Sequence, residues 1–371
     1  MKYITSEQQF DTIVVGGGQA GLSIGYYLAR QDRDFVILDA NERIGASWRK
    51  RWDSLTLFTA ARYSSLPGMP FPAPADAFLT KDAVADYLEA YAARFELPVR
   101  LGAAVDRLSR KGDRYLVSVG GQYLEAEHVV VATGTFQHPN IPAFAGLLDS
   151  TIAHFHSKEY RNPNQLQEGA ALIVGAGNSG AEIALEVAKT RRTWLAGRST
   201  GHLPKTYPPI VRDLYWWLIH TALNTDNRIG RRFKELTGKK GAPLVGISEK
   251  DLQRAGVERV ARMVGVHDGK LLLQDGRVLE VANVIWCTGF VPDFGWIDLP
   301  VVGNDGYPIH TRGLVKGEPG LYFLGLPFQY TLTSSLIGGV GRDASYIAEQ
   351  IAARSSATDV QIAAGLTESV Q

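Results

Sequence analysis

Apolar residues along this chain gather in short runs that lead into glycine. Thr12–Val15 runs into Gly16-Gly17-Gly18-Gln19-Ala20-Gly21, and Ala171–Val174 runs into Gly175-Ala176-Gly177-Asn178-Ser179-Gly180. Runs this short and this uniformly apolar predict parallel strands buried on both faces. After the first loop the pattern predicts a helix over Ala20–Arg30 and a strand over Phe35–Leu38 that ends at Asp39. After the second it predicts a helix over Ser179–Lys189 and a strand over Thr193–Ala196 that ends near Arg198. Arg114–Val119 and Tyr123–Val131 read as strands joined by the turn Gly120-Gly121, and they lead into Ala132-Thr133-Gly134. Lys270–Leu273, the turn Asp275-Gly276 and Val281–Cys287 repeat that order into Thr288-Gly289. The ends HVVVATG (128–134) and NVIWCTG (283–289) match closely, so the chain holds an internal repeat.

This pattern predicts an α/β protein with two Rossmann-like dinucleotide-binding domains. Pro319–Ile351 reads as a strand, a loop and a closing helix with no glycine loop of its own, so it is expected to complete the first domain. The second domain is then an insertion in the first. The expected division gives 1–155 and 290–371 to a discontinuous outer domain and 156–289 to the inner one, with a helical insertion at about 205–250.

The two copies differ in charge at one equivalent place. Asp39 and Arg198 stand at the same distance from the first glycine of their loops, where the second strand reaches the adenosine ribose. An acid there accepts hydrogen bonds from ribose hydroxyls, and a cation there suits a 2′-phosphate. The first site therefore predicts an unphosphorylated dinucleotide (FAD or NAD) and the second predicts NADPH. Arg198 is expected to grip the phosphate in a bidentate contact, with Ser199, Thr200 and Lys205 as further donors. Two such cofactors in one chain point to electron transfer between them.

Composition narrows the chemistry. The 371 residues allow two cores, and 45% hydrophobic with 21% charged content is ordinary for a globular protein. A net charge of +1 gives no reason to expect a nucleic-acid partner. No apolar run is long enough to span a bilayer, and a first loop at Gly16 leaves no room for a secretory leader, so a cytoplasmic location is expected. Cys287 is the single cysteine, which excludes an internal Cys-x-x-Cys pair for passing electrons onward.

On these residues the chain resembles the class B flavin-dependent monooxygenases, among them flavin-containing monooxygenases, YUCCA-type enzymes and Baeyer–Villiger enzymes, and especially their short bacterial relatives. The resemblance rests on the first loop, Gly45-Ala46-Ser47-Trp48, Ala132-Thr133-Gly134 with Pro139 and Pro142, His156-Ser157-Lys158-Glu159-Tyr160, the second loop, and Trp286-Cys287-Thr288-Gly289-Phe290. It implies FAD in the first site and NADPH in the second, with NADH left open as a further donor. It also implies a reduced flavin that reacts with dioxygen and holds a peroxyflavin able to oxygenate a sulfide, an amine or a ketone. The cofactor-binding set it implies is Gly16, Gly18, Gln19, Ala20, Gly21, Asp39, Ala40, Gly45, Ser47, Trp48, Val105, Ala132, Thr133, Gly134 and Leu332, with Gly175, Gly177, Asn178, Ser179, Gly180, Arg198, Ser199, Thr200, Cys287, Thr288 and Gly289. Phe58, Thr59 and Tyr160 are the residues expected beside the reacting groups.

Two departures from the family pattern stand out. The fingerprint Phe-x-Gly-x-x-x-His-x-x-x-Tyr meets Ser150 and Ile152 at its first two places, with Phe144 and Gly146 as displaced equivalents. Leu55–Ala60 carries no asparagine where many relatives set one against the flavin. An oxidase releasing hydrogen peroxide, and a regulatory redox flavoprotein, therefore stand as alternatives to the monooxygenase. His154 and His156 share a strand face but lack a third ligand, so a hinge reading is preferred to zinc. In Val211–Leu223 the residues 211, 214, 215, 218 and 222 form a helical apolar stripe, with Trp216, Trp217 and Ile219 outside it. A packing surface and a substrate lid or homodimer contact remain open for it, while few basic residues lie on it, which disfavours a membrane-surface helix. The basic run Arg231–Lys240 reads as a solvated face.

Overall fold

The computed structural model describes the backbone of residues 8–240 and 243–368 and the side chains of 8–236 and 243–356. Five parallel strands form the middle of the outer sheet, in the order Val99–Arg100, Phe35–Leu38, Gln8–Val15, Gln122–Val131, Leu321–Phe323. Leu314–Val315 and His310–Thr311 continue it as antiparallel edge strands. Val105–Lys111 and Arg114–Val119 form an antiparallel meander with the long strand Gln122–Val131. Ile13, Val14, Ile37, Val129 and Val130 are fully buried because helices cover one face and the meander side covers the other. The helices Gln19–Arg30, Lys81–Arg94 and Ile337–Glu368 pack together on the first of these faces.

The inner sheet is wholly parallel, in the order Ala153–His156, Asn283–Trp286, Ala171–Val174, Thr193–Ala196, Val257–Val260. Its edge strand starts upstream of the division expected after residue 155. That edge is set by register, since His156 pairs with Trp286. The two chain crossings between the domains pair with each other, His138–Pro139 against Phe290–Val291. Residues 1–7 and 369–371, assigned to the outer domain above, lie outside the described residues.

The insertion begins with the helix Pro209–Trp217, continues as a π-helical turn Leu218–Ala222, and ends with the helix Arg228–Lys240. It folds back onto the outer domain. Trp216 stacks on Tyr63 with centroids 4.5 Å apart, and Arg212 pairs with Asp76 at 2.5 Å. His220 Nδ1 lies 2.9 Å from Thr333 Oγ1, and Thr225 N–H donates to the Tyr330 carbonyl at 2.9 Å. This corrects the expected stripe. The side that packs carries Arg212, Trp216, Ile219 and His220, while Val211, Leu214 and Leu218 face outward. Helical periodicity marks an apolar face but does not say whether the chain covers it. Of the basic run, the side chains of 237–240 lie outside the described residues.

Burial holds several histidines neutral. His128, His220 and His310 are each pushed down to about 4, and His156 is also lowered, with desolvation the main cause in every case. Their folded values lie below the unfolded value of 6.5, so the unfolded chain takes up protons first as pH falls. Glu182, pushed up to about 7 by burial, works in the opposite sense and offsets part of this. The melting temperature is expected to fall on the order of 5 °C as pH drops from neutral toward 5, and less in His128→Gln. A melting temperature that holds or rises over that window, followed by circular dichroism, would contradict this reading.

Candidate active site

Both glycine loops sit where a parallel strand hands over to a helix, and they share one geometry. Gly16 and Gly175 each take φ +110°, and a Cβ there would lie 2.6 Å from the Ala132 carbonyl oxygen and 2.2 Å from that of Cys287. A Cβ on Gly21 or Gly180 would lie 1.8 Å from the carbonyl oxygen of Gly16 or Gly175. Only glycine lets helix, loop and neighbouring strand end approach this closely. Gly18 and Gly177 have nothing within 4 Å of a built Cβ, and neither helix they open has a side-chain cap. Each helix start thus presents unsatisfied N–H groups and the positive end of its dipole to open space, which is a fit for pyrophosphate.

Beside the first loop, the buried Asp39 accepts from Gly17 N–H at 2.7 Å and from Asn41 N–H at 2.7 Å. These bonds fix its carboxylate at the end of the second strand. Ala103 N–H donates to the Asp39 carbonyl at 2.8 Å, which brings the segment leading to Val105 alongside. Ala40 and Ser47 are exposed at the rim, and Gly45 opens the short helix Ala46–Arg49. Trp48 Nε1 donates to Gln19 Oε1 at 3.3 Å, and Gln19 Nε2 donates to the Ser335 carbonyl at 3.4 Å. This chain of bonds brings the first loop, Trp48 and the Leu332–Leu336 segment to one place, with Ala20 buried behind it. Thr133 Oγ1 accepts from Gln137 Nε2 at 2.9 Å, which holds Ala132-Thr133-Gly134 at the end of its strand.

The second site differs where its ligand would. Arg198 and Ser199 are exposed beyond the strand Thr193–Ala196, and among the described residues Arg198 has no ion pair. Thr200 Oγ1 is buried without a partner. Arg259 donates through Nη2 to the Gly197 carbonyl at 2.9 Å, and its Nη1 is buried without a partner. Sequence reading missed Arg259, because only the register of Val257–Val260 beside Thr193–Ala196 places it there. Ser179 follows Asn178 in the first turn, and the Asn178 side chain is used by the protein, its Oδ1 accepting from Val245 N–H at 2.7 Å.

Three expected roles do not match their placement. Tyr160 is fully buried, stacks on Phe155, and donates its hydroxyl to Glu186 Oε2 at 2.7 Å. Burial raises its pKa further, so it braces the inner helix and does not reach a reacting group. Lys205 lies away from the ribose end. Its ammonium donates to Thr56 Oγ1 at 3.2 Å and sits 4.3 Å from the Phe78 ring, in an interdomain cleft of about 180 Å³ that Glu182 also lines. The Cys287 thiol is pushed up to about 12 by burial, and it is the Cys287 carbonyl that faces Gly175. Phe58 is exposed on the strand Thr56–Ala60, and Thr59 Oγ1 is 2.9 Å from Ser64 Oγ.

The domain crossing is locked by His156. Lys158 N–H donates to its Nδ1 at 3.1 Å, which leaves the proton on Nε2, and Nε2 donates to the Gly289 carbonyl at 2.9 Å. Asn140 N–H shares that carbonyl at 3.0 Å, and Thr288 Oγ1 donates to the Asn140 carbonyl. Thr288-Gly289 is thereby tied to the strand His138–Pro139. No group of histidine, cysteine or carboxylate side chains among the described residues could hold a metal ion.

Comparisons with known proteins agree with this construction. Residues 13–207 match the family described as pyridine nucleotide-disulphide oxidoreductase. An uncharacterized oxidoreductase, CzcO-like, of Geobacillus kaustophilus is 42% identical over 345 residues, covering 92% of this chain and 98% of the relative. "Probable indole-3-pyruvate monooxygenase YUCCA7" of Arabidopsis thaliana is 30% identical over 388 residues, covering 92% of this chain and 87% of the relative. Among solved structures, the flavin-containing monooxygenase from Stenotrophomonas maltophilia superposes with a TM-score of 0.77 at 29% identity, covering 94% of this chain and 99% of that one. Two glycine-loop sites of one geometry, in a chain with these relatives, lead to a single assignment: the protein belongs to the class B flavin-dependent monooxygenases, oxidoreductases that use a flavin together with a nicotinamide.

Proposed function

We propose that this chain is an NADPH-dependent FAD monooxygenase acting on a small organic substrate such as a sulfide, an amine or a ketone. One observation carries the reading. Two loops of the same geometry end their ribose sides in an anchored Asp39 and in an exposed Arg198 that has no ion pair among the described residues. Asp39 suits the free ribose hydroxyls of FAD, and Arg198 with the orphaned Thr200 Oγ1 suits the 2′-phosphate of NADPH. When bound, the flavin accepts hydride from the nicotinamide and supplies the electrons that activate dioxygen.

The chain's own residues would bind and orient. Gly18 and Gly177 leave room for the pyrophosphates, while Trp48, Gln19 and the Leu332–Leu336 segment border the place for the flavin ring. The insertion, held down by Trp216 on Tyr63 and His220 on Thr333, covers that place from the inner-domain side and would keep water from it. A second reading, an oxidase that releases hydrogen peroxide, is favoured by Leu55–Ala60. That strand offers no amide, and its hydroxyls on Thr56 and Thr59 are engaged with Lys205 and Ser64.

Arg198→Ala should weaken NADPH by roughly 10- to 100-fold while NADH changes less than about threefold, consistent with the loss of one charge-assisted bidentate contact. Equal losses for both nucleotides in steady-state assays would remove Arg198 from the phosphate site. Anaerobic NADPH is expected to bleach the bound flavin within a single mixing experiment. A flavin that stays oxidised under NADPH would refute the electron path. With air restored, oxygenated product in step with NADPH consumption supports the monooxygenase, and hydrogen peroxide in its place supports the oxidase.

A further inference from the structure

The insertion that packs onto the outer domain leaves its other side bare. Ile210, Val211, Leu214, Trp217 and Leu218 recur at positions that bring them onto about one third of the helix circumference. All five are exposed, Ile210 at 83%, Leu214 at 61% and Trp217 at 55%. The opposite side carries Arg212, Trp216, Ile219 and His220, which make the contacts to Tyr63, Asp76 and Thr333. Ile229 and Leu236, two turns apart on the next helix, are exposed as well. A run of large apolar side chains this exposed marks a surface that meets something other than water.

Charge indicates what that is. The helix Arg228–Lys240 has six basic residues against Glu235 alone, in a chain whose net charge is only +1; Arg228, Arg231 and Arg232 are exposed on it, while Lys234 is half-buried. The other acids of the insertion are engaged within the protein. Asp213 is held by Arg212 and Tyr63, and Asp226 accepts from the Tyr330 hydroxyl at 3.0 Å. A second copy is a poor fit, because a self-complementary contact would bring two cationic helices together. An anionic lipid surface answers both features at once, taking the apolar side chains below its headgroups and the exposed guanidinium groups of Arg228 and Arg232 among its phosphates.

We propose that the insertion is a surface-docking element that seats this protein on an anionic phospholipid membrane, with Ile210, Leu214 and Trp217 entering the headgroup layer and the helix Arg228–Lys240 binding its phosphates. The attachment is peripheral, since no described helix is long and apolar enough to cross a bilayer.

The test is flotation of the full-length, flavin-loaded protein with vesicles of phosphatidylcholine alone and with about 30% phosphatidylglycerol. Binding to the anionic vesicles is expected to exceed binding to the neutral ones at least about tenfold at low salt and to fall at about 0.5 M salt. Leu214→Glu with Trp217→Glu should lower vesicle binding about tenfold with flavin content unchanged, and Arg228→Glu with Arg232→Glu should remove the preference for anionic lipid. The proposal is overturned if the wild-type protein stays with the unbound fraction, or if the Leu214/Trp217 variant floats equally well. It is also overturned if that variant turns a dimer into a monomer by light scattering, which would make the face a contact between copies.

Discussion

The structure depends on two places where a helix, a loop and a strand end come closer than any side chain would allow. The missing Cβ atoms of Gly21 and Gly180 let each helix start rest against the carbonyl of the loop's own first glycine. Each helix therefore points its unpaired N–H groups at the carboxyl ends of a parallel sheet, where both domains open to ligand. The parallel sheets follow from the same constraint, because a strand that hands over to a helix must be matched by another strand running the same way.

Within that common frame small differences set what each site can hold. In the first copy Gly17 faces Asp39, and a Cβ on Gly17 would lie 2.7 Å from the carboxylate. In the second copy alanine takes the equivalent place at residue 176, and the glycine is moved to 197, where a Cβ would lie 2.8 Å from the Ala176 nitrogen. The close approach is kept while the side that donates space is exchanged. One site carries an anchored acid and the other the exposed guanidinium of Arg198, with Arg259 bonded to the neighbouring Gly197 carbonyl.

The domains are joined by more than their two crossings. The His156 and Asn140 bonds to Gly289 pin the hinge, while the insertion reaches across to Tyr63, Thr333 and Tyr330 on the far side. Burial has a cost in protonation, since the imidazoles of His156 and His220 are held neutral where they make these contacts. The same insertion carries an apolar side and a basic helix outward, so one element braces the cleft and offers a surface to a partner.

The sequence by itself determined the two α/β units, their glycine loops and the charge at residues 39 and 198, because these rest on short spacings and on residue types with no substitute. Cys287 needed no structure to be excluded from an internal disulfide, since it is the only cysteine in the chain. What spacing does not encode, tertiary structure decided. Tyr160 entered the core because the helix Asn178–Val187 brings Glu186 to its hydroxyl and the strand Ala153–His156 sets Phe155 against its ring, and Lys205 turned toward Thr56 because the domains meet there. Arg259 reached the end of the strand Thr193–Ala196 through strand register, across some sixty intervening residues. The aromatic helix shows the same limit, since periodicity finds a face but only the packed chain shows which side is covered and which is left to water or to a partner.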